Sequence, residues 1–135
     1  MNAACSAGVR YFVYVFTLAF ALGVARVFVI APWLGTITAV AFEVPILIAA
    51  SWFFARRLLR VRSFVLSQRA IMGATAFSLT MASEAGLVLI IGGQSVTDWA
   101  MTLVTPIGLV GLTGQIIFGL MPISLGQNSP AERHG

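Results

Sequence analysis

The sequence predicts an all-α, polytopic membrane protein: a bundle of four transmembrane helices with both termini in the cytoplasm. Three observations predict it. Of 135 residues, 59% are hydrophobic and only 9% are charged. The apolar residues fall into four long runs, each about long enough to cross a ~30 Å hydrocarbon layer at ~1.5 Å per residue. All eight basic residues are arginine, and most of them stand beside the apolar runs rather than inside them.

Span one covers residues 11–31. It is longer than a signal peptide and Arg26 interrupts it, so it is expected to be a retained helix. Residues 32–35, Pro-Trp-Leu-Gly, make a short turn of breaker residues. Span two covers residues 36–55, and an arginine-rich connector follows over 56–69. Leu58, Val61 and Val65 would share one side of a helix there. The connector therefore reads either as a topology determinant or as an interfacial segment, with Arg56, Arg57, Arg60, Arg62 and Arg69 on anionic lipid. Span three covers residues 70–91 and stops at Gly92 and Gly93. Ser95 and Thr97 are candidate caps for the next helix, with Asp98 in or near its first turn. Span four covers residues 99–121, with Pro122 just beyond, and residues 124–135 form a polar tail.

Orientation follows from the arginines. Arg10, the connector and Arg133 share one side of a four-span protein, and the opposite loops carry no basic residue. Basic residues favour the cytoplasmic side, so both termini and the connector are expected there. Trp33 and Trp99 then mark the outer interface and Trp52 the inner one. The excess of positive charge reflects this topology rather than a nucleic-acid surface.

Arg26, Glu43 and Glu84 lie deep within spans one, two and three. A charge in the bilayer core is costly, so such residues usually face a bundle interior or a cavity and pair with one another. Counted at 1.5 Å per residue, all three lie roughly 7 to 11 Å below the outer boundary. A single buried charged cluster is therefore expected. Ala19 and Gly23 share the face of Arg26, and Pro45 removes the hydrogen bond to the Ala41 carbonyl beside Glu43, leaving a spare acceptor expected inside the protein. One arginine balances only one carboxylate, so the other is expected to hold a proton or a cation. Three roles stay open: a structural network that fixes helix register, a proton or cation site, and a site that binds a partner protein, a lipid or a small ligand. An alternative geometry has Arg26 snorkelling to the outer headgroups.

In span four, residues 105–108 (Thr-Pro-Ile-Gly) should break or bend the helix at Pro106. Gly108, Gly111 and Gly114 recur every three residues, and Gln115 adds a buried amide. This spacing suits close helix packing, within the chain or in a dimer; the other reading is an unwound segment lining a solute route. No span contains histidine, and Cys5 is the single cysteine. No metal site, haem ligand, phosphate loop or nucleophile–base pair can be assembled, so no cofactor and no catalytic residue is expected.

The residues Tyr11-Phe12, Leu22-Gly23, Arg26-Val27, Glu43-Val44-Pro45, Ala55-Arg56-Arg57, Glu84, Trp99, Gly111-Leu112-Thr113-Gly114-Gln115 and Leu120-Met121-Pro122 resemble small four-helix inner-membrane proteins of proteobacteria. The resemblance implies a bacterial inner-membrane location and no particular activity. Small multidrug-resistance transporters are a looser analogy, with four helices and a membrane glutamate; their essential glutamate is in the first helix, where this chain has Arg26. The leading expectation is a non-enzymatic accessory or interaction protein in the bilayer, alone, as a homodimer or with a partner membrane protein. The alternative is a small oligomeric transporter or channel, coupled to protons or cations, that uses Glu43 and Glu84.

Overall fold

The computed structural model describes residues 2–128. Among these residues all regular structure is helical. Four helices are long and apolar enough to cross a membrane: Ala3–Leu34, Thr36–Val61, Leu66–Ile90 and Pro106–Ser124.

The first helix, α1 (Ala3–Ala25), starts earlier than expected. Asn2 caps it by accepting a hydrogen bond from the Ala4 N–H at 2.7 Å. Ala4, Ala7 and Gly8 are buried, and a Cβ on Gly8 would come within 2.7 Å of the Met72 carbonyl. These small residues add little hydropathy, yet they continue the helix and dock it. A π-turn, Arg26–Ile30, follows α1 and leads into α2 (Ala31–Leu34). Helix therefore runs through the expected turn. Proline lacks an N–H and its ring crowds the carbonyl four residues back. The turn ahead of Pro32 widens instead, with the Ala31 N–H donating to the Arg26 carbonyl five residues earlier. The chain turns at Gly35, whose φ of 81° lies in the region that glycine tolerates.

Helix α3 (Thr36–Val61) also outruns its expected end. Arg56, Arg57 and Arg60 lie on it, and the Arg56 guanidinium sits 4.9 Å from the Trp52 ring centre. Only residues 62–65 are non-helical before α4 (Leu66–Ile90). This corrects the interfacial-helix reading of the connector. Val65 is in extended backbone, Val61 is exposed and Leu58 packs against the core, so the three make no common stripe. Arg69 is half-buried against Gly126, whereas Arg56, Arg57, Arg60 and Arg62 are exposed.

The expected fourth span is two helices, α5 (Val96–Leu103) and α6 (Pro106–Ser124). Ser95 and Asp98 close a reciprocal capping box at the start of α5. Thr105 caps α6, its hydroxyl accepting from the Gly108 N–H at 3.1 Å, and Pro106 takes the first turn, where its missing N–H costs nothing. The break at Pro106 is thus a capped corner between helices. A 3₁₀ turn, Leu125–Asn128, ends the described chain, so structure extends into the expected polar tail; its remainder, with Arg133, lies outside the described residues.

Helices α1 and α6 each pack against both α3 and α4. The buried apolar core gathers towards the end that carries Arg56, Arg57 and Arg60. Ala4, Ala7, Tyr11 and Val15 of α1 meet Ala55, Phe64, Met72, Ala76, Phe118 and Met121. There α4 and α6 approach so closely that a Cβ on Gly73 would collide with the Gly119 carbonyl. Tyr11, fully buried, spans from α1 to α6. Its hydroxyl donates to the Phe118 carbonyl at 2.9 Å and its ring stacks on Phe118 with centres 4.5 Å apart. Large apolar side chains such as Phe28, Trp33, Ile37 and Ile90 cover the outside, as a bilayer-facing surface requires.

Candidate functional site

Away from this packed end the helices enclose a cleft of about 540 Å³, walled by α1, α3, α4 and α6. Its wall is mostly apolar, with Phe16, Phe20, Leu47, Leu87, Leu112 and Phe118 among the lining side chains. Exposed Val27, Phe28 and Ile107 also contribute to the wall, so the space is not sealed. Arg26, Glu43, Glu84 and Gln115 all line it, as do the hydroxyls of Ser51 and Thr80.

The single buried cluster expected of the three charges does not form: around one cleft, Arg26 pairs with Glu43, and Glu84 pairs with the neutral amide of Gln115. Arg26 Nε stands 3.3 Å from Glu43 Oε2, with side chains 31% and 14% exposed. This contact is an ion pair without hydrogen-bond alignment, because Glu43 Oε2 is buried and has no hydrogen-bond partner. The Arg26 side chain runs back along α1 past Gly23, the direction helical side chains favour, with Nη2 at 3.9 Å from where a Gly23 Cβ would stand. Arg26 therefore turns to Glu43 rather than to the headgroups. Glu84 has a different partner, accepting a hydrogen bond from the Gln115 side-chain amide of α6.

Open valences decide what the cleft can hold. Thr80 and Ser51 donate their hydroxyl protons to the Ala76 and Leu47 carbonyls, at 3.0 and 2.6 Å. Gln115 Oε1 is buried without a partner. Glu43 and Glu84 line the cleft, and among the described residues Glu43 Oε1 and Glu84 Oε2 make no hydrogen bond. The wall thus sets the open acceptors of Glu43, Glu84 and Gln115 beside the guanidinium donors of Arg26, with two carboxylates to one guanidinium.

The remaining candidates separate by position. Gly111 lines the cleft with open space around a would-be Cβ, so it makes no close helix contact within the described chain. Gly114 does pack, since a Cβ there would come within 3.1 Å of Val44 Cγ1 on α3. Gly108 serves the corner, where a Cβ would strike the Thr102 carbonyl. Pro45 and Ala41 are both exposed and outside the cleft wall, so the carbonyl deprived by Pro45 is not an interior acceptor as expected. Sequence reasoning missed Gln115 as the partner of Glu84, and missed the Tyr11 hydroxyl entirely. The second had a signal: Pro122 deprives the carbonyl four residues back, at Phe118, of its donor.

Comparison with known proteins finds no matching family model, no similar curated protein and no similar solved structure.

Proposed function

We propose that the chain is a non-enzymatic, multi-pass protein of the bacterial inner membrane, with both termini cytoplasmic, and that it binds and carries a small cation through the cleft. The observation that carries this reading is the asymmetry of the bundle. Its arginine-rich end is closed by Tyr11, Met72, Phe118 and the Gly73–Gly119 contact, while the other part holds a cleft with two carboxylates and one arginine. The positive-inside rule puts the closed end in the cytoplasm, so the cleft would face outward. A pure scaffold needs no such space, and a dry gap forfeits packing.

Glu84 supplies the negative charge left over once Arg26 and Glu43 are paired. It holds the cargo or a proton in turn, which couples cation and proton movement. The test is an internal pH dye in proteoliposomes bearing a pH gradient, with a panel of inorganic and organic cations added outside. At least one cation should collapse the gradient, and Glu84→Gln, checked for folding by circular dichroism, should abolish the response. No response across the panel from correctly oriented protein would leave the accessory-protein reading in its place. The groove between α4 and α6, lined by Gly73, Ala74, Phe77 and Leu120, is where a partner helix would then dock.

A further inference from the structure

We propose that the ligand of the cleft is a primary ammonium on an apolar body, with its N–H donors shared between Glu84 and Glu43; this rests on the cation-carrier reading and narrows it. The charge of the wall selects a cation. Its ionisable side chains are Arg26, Glu43 and Glu84, and Arg26 is already opposed by Glu43. The open valences select the kind of cation. Among the described residues, Glu43 Oε1 and Glu84 Oε2 are unpaired acceptors of cleft-lining side chains, and Gln115 Oε1, on the amide that bonds Glu84, is a buried acceptor without a donor. An ammonium group carries three donors and no acceptor, which complements that set. Charge-assisted N–H bonds to carboxylates are also about twice as strong as neutral ones.

Competing cations match less well. A hard metal ion needs a shell of about six or more oxygens, and among the described residues no three His, Cys, Asp or Glu side chains come together. A quaternary ammonium could lie against Phe16, Phe20 and Phe118, but it would leave the carboxylate oxygens without donors in an apolar surround, which is costly. The volume of about 540 Å³ and the phenylalanine and leucine wall accommodate an apolar body, within the range of ~300–1,000 Å³ usual for small-molecule sites. The ammonium takes Glu84 by joining or displacing the Gln115 amide, which then turns its unpaired oxygen towards the ligand.

The same chemistry could come from a free amine or from an ethanolamine lipid headgroup, and the experiment separates them. The full chain, purified in detergent, is titrated calorimetrically with 3-phenylpropylammonium, its N-trimethyl counterpart, sodium chloride and dihexanoylphosphatidylethanolamine. The primary ammonium should bind at least tenfold more tightly than the trimethyl compound, and sodium should give no saturable signal. Tighter binding of the phosphatidylethanolamine than of the free amine would support the proposal with the lipid as source. Glu84→Gln should weaken binding tenfold or more. Gly111→Leu should abolish it while keeping both carboxylates, because a side chain there enters open space. Equal or tighter binding of the trimethyl compound or of sodium would overturn the ammonium assignment and leave the carrier reading standing. Binding indifferent to both variants would overturn the site. No binding of any of the four by folded protein would overturn both.

Discussion

At Phe118 a backbone carbonyl loses its helical donor because Pro122 has no N–H, and the Tyr11 hydroxyl replaces it at 2.9 Å. A buried acceptor left without a donor costs about 1–3 kcal/mol. Tyr11→Phe should therefore lower stability in detergent by about that amount. The loss should shrink in a Pro122→Ala background, where the helix supplies its own N–H. A double-mutant cycle with no coupling between the two positions would contradict the account. A second residue-level contrast concerns the arginines. Arg26→Ala leaves Glu43 without its 3.3 Å partner, whereas Arg62 is exposed and forms no ion pair among the described residues. Because the Arg26 side chain is about a third exposed, its loss should cost ~1–2 kcal/mol, between the exposed and buried limits, and Arg62→Ala close to nothing. Equal melting temperatures of the two variants would show the ion pair to be idle. At this scale the common depth of Arg26, Glu43 and Glu84 could be counted from the sequence, and all three line one cleft, but the single cluster expected of them is not formed. The sequence did not reveal that Glu84 turns to Gln115, because counting gives depth and not the rotation of each helix about its axis.

The four helices long enough to span a membrane were legible in number and type because an apolar run of about twenty residues has few other uses. Their ends were less so. Helices α1 and α3 continue past the apolar runs, through small residues in one case and arginines in the other, and neither raises hydropathy. The corner at residues 104–105 was legible because a threonine before a proline is a strong helix start. The start of α5 carries a pH dependence. The side chain and backbone N–H of Ser95 hydrogen-bond Asp98 and hold its carboxyl below the usual aspartate range. A group with a lowered folded value stabilises above its ordinary value, and that contribution is lost as the pH falls through the lowered one. Amide exchange in α5 should therefore be pH-insensitive, beyond intrinsic chemistry, around neutrality and rise only in strong acid. In Ser95→Ala it should be faster at neutral pH and lose the acid step. An acid step that survives in Ser95→Ala would place its origin elsewhere.

Across the whole molecule, packing is uneven. The buried side chains concentrate at one end, and the polar groups line an unfilled space away from it. Composition could not show this, since lipid-facing and core-facing residues are equally apolar in a membrane bundle. The unevenness makes the bundle a candidate carrier rather than a sealed scaffold. Its most direct test is labelling of single cysteines in a Cys5→Ala background by a membrane-impermeant maleimide applied from the side opposite the arginine-rich end. Leu112→Cys, in the cleft wall, should react, and Ala76→Cys, in the packed core, should not. An unreactive Leu112→Cys, or a reactive Ala76→Cys in folded protein, would contradict a cleft open at one end and closed at the other.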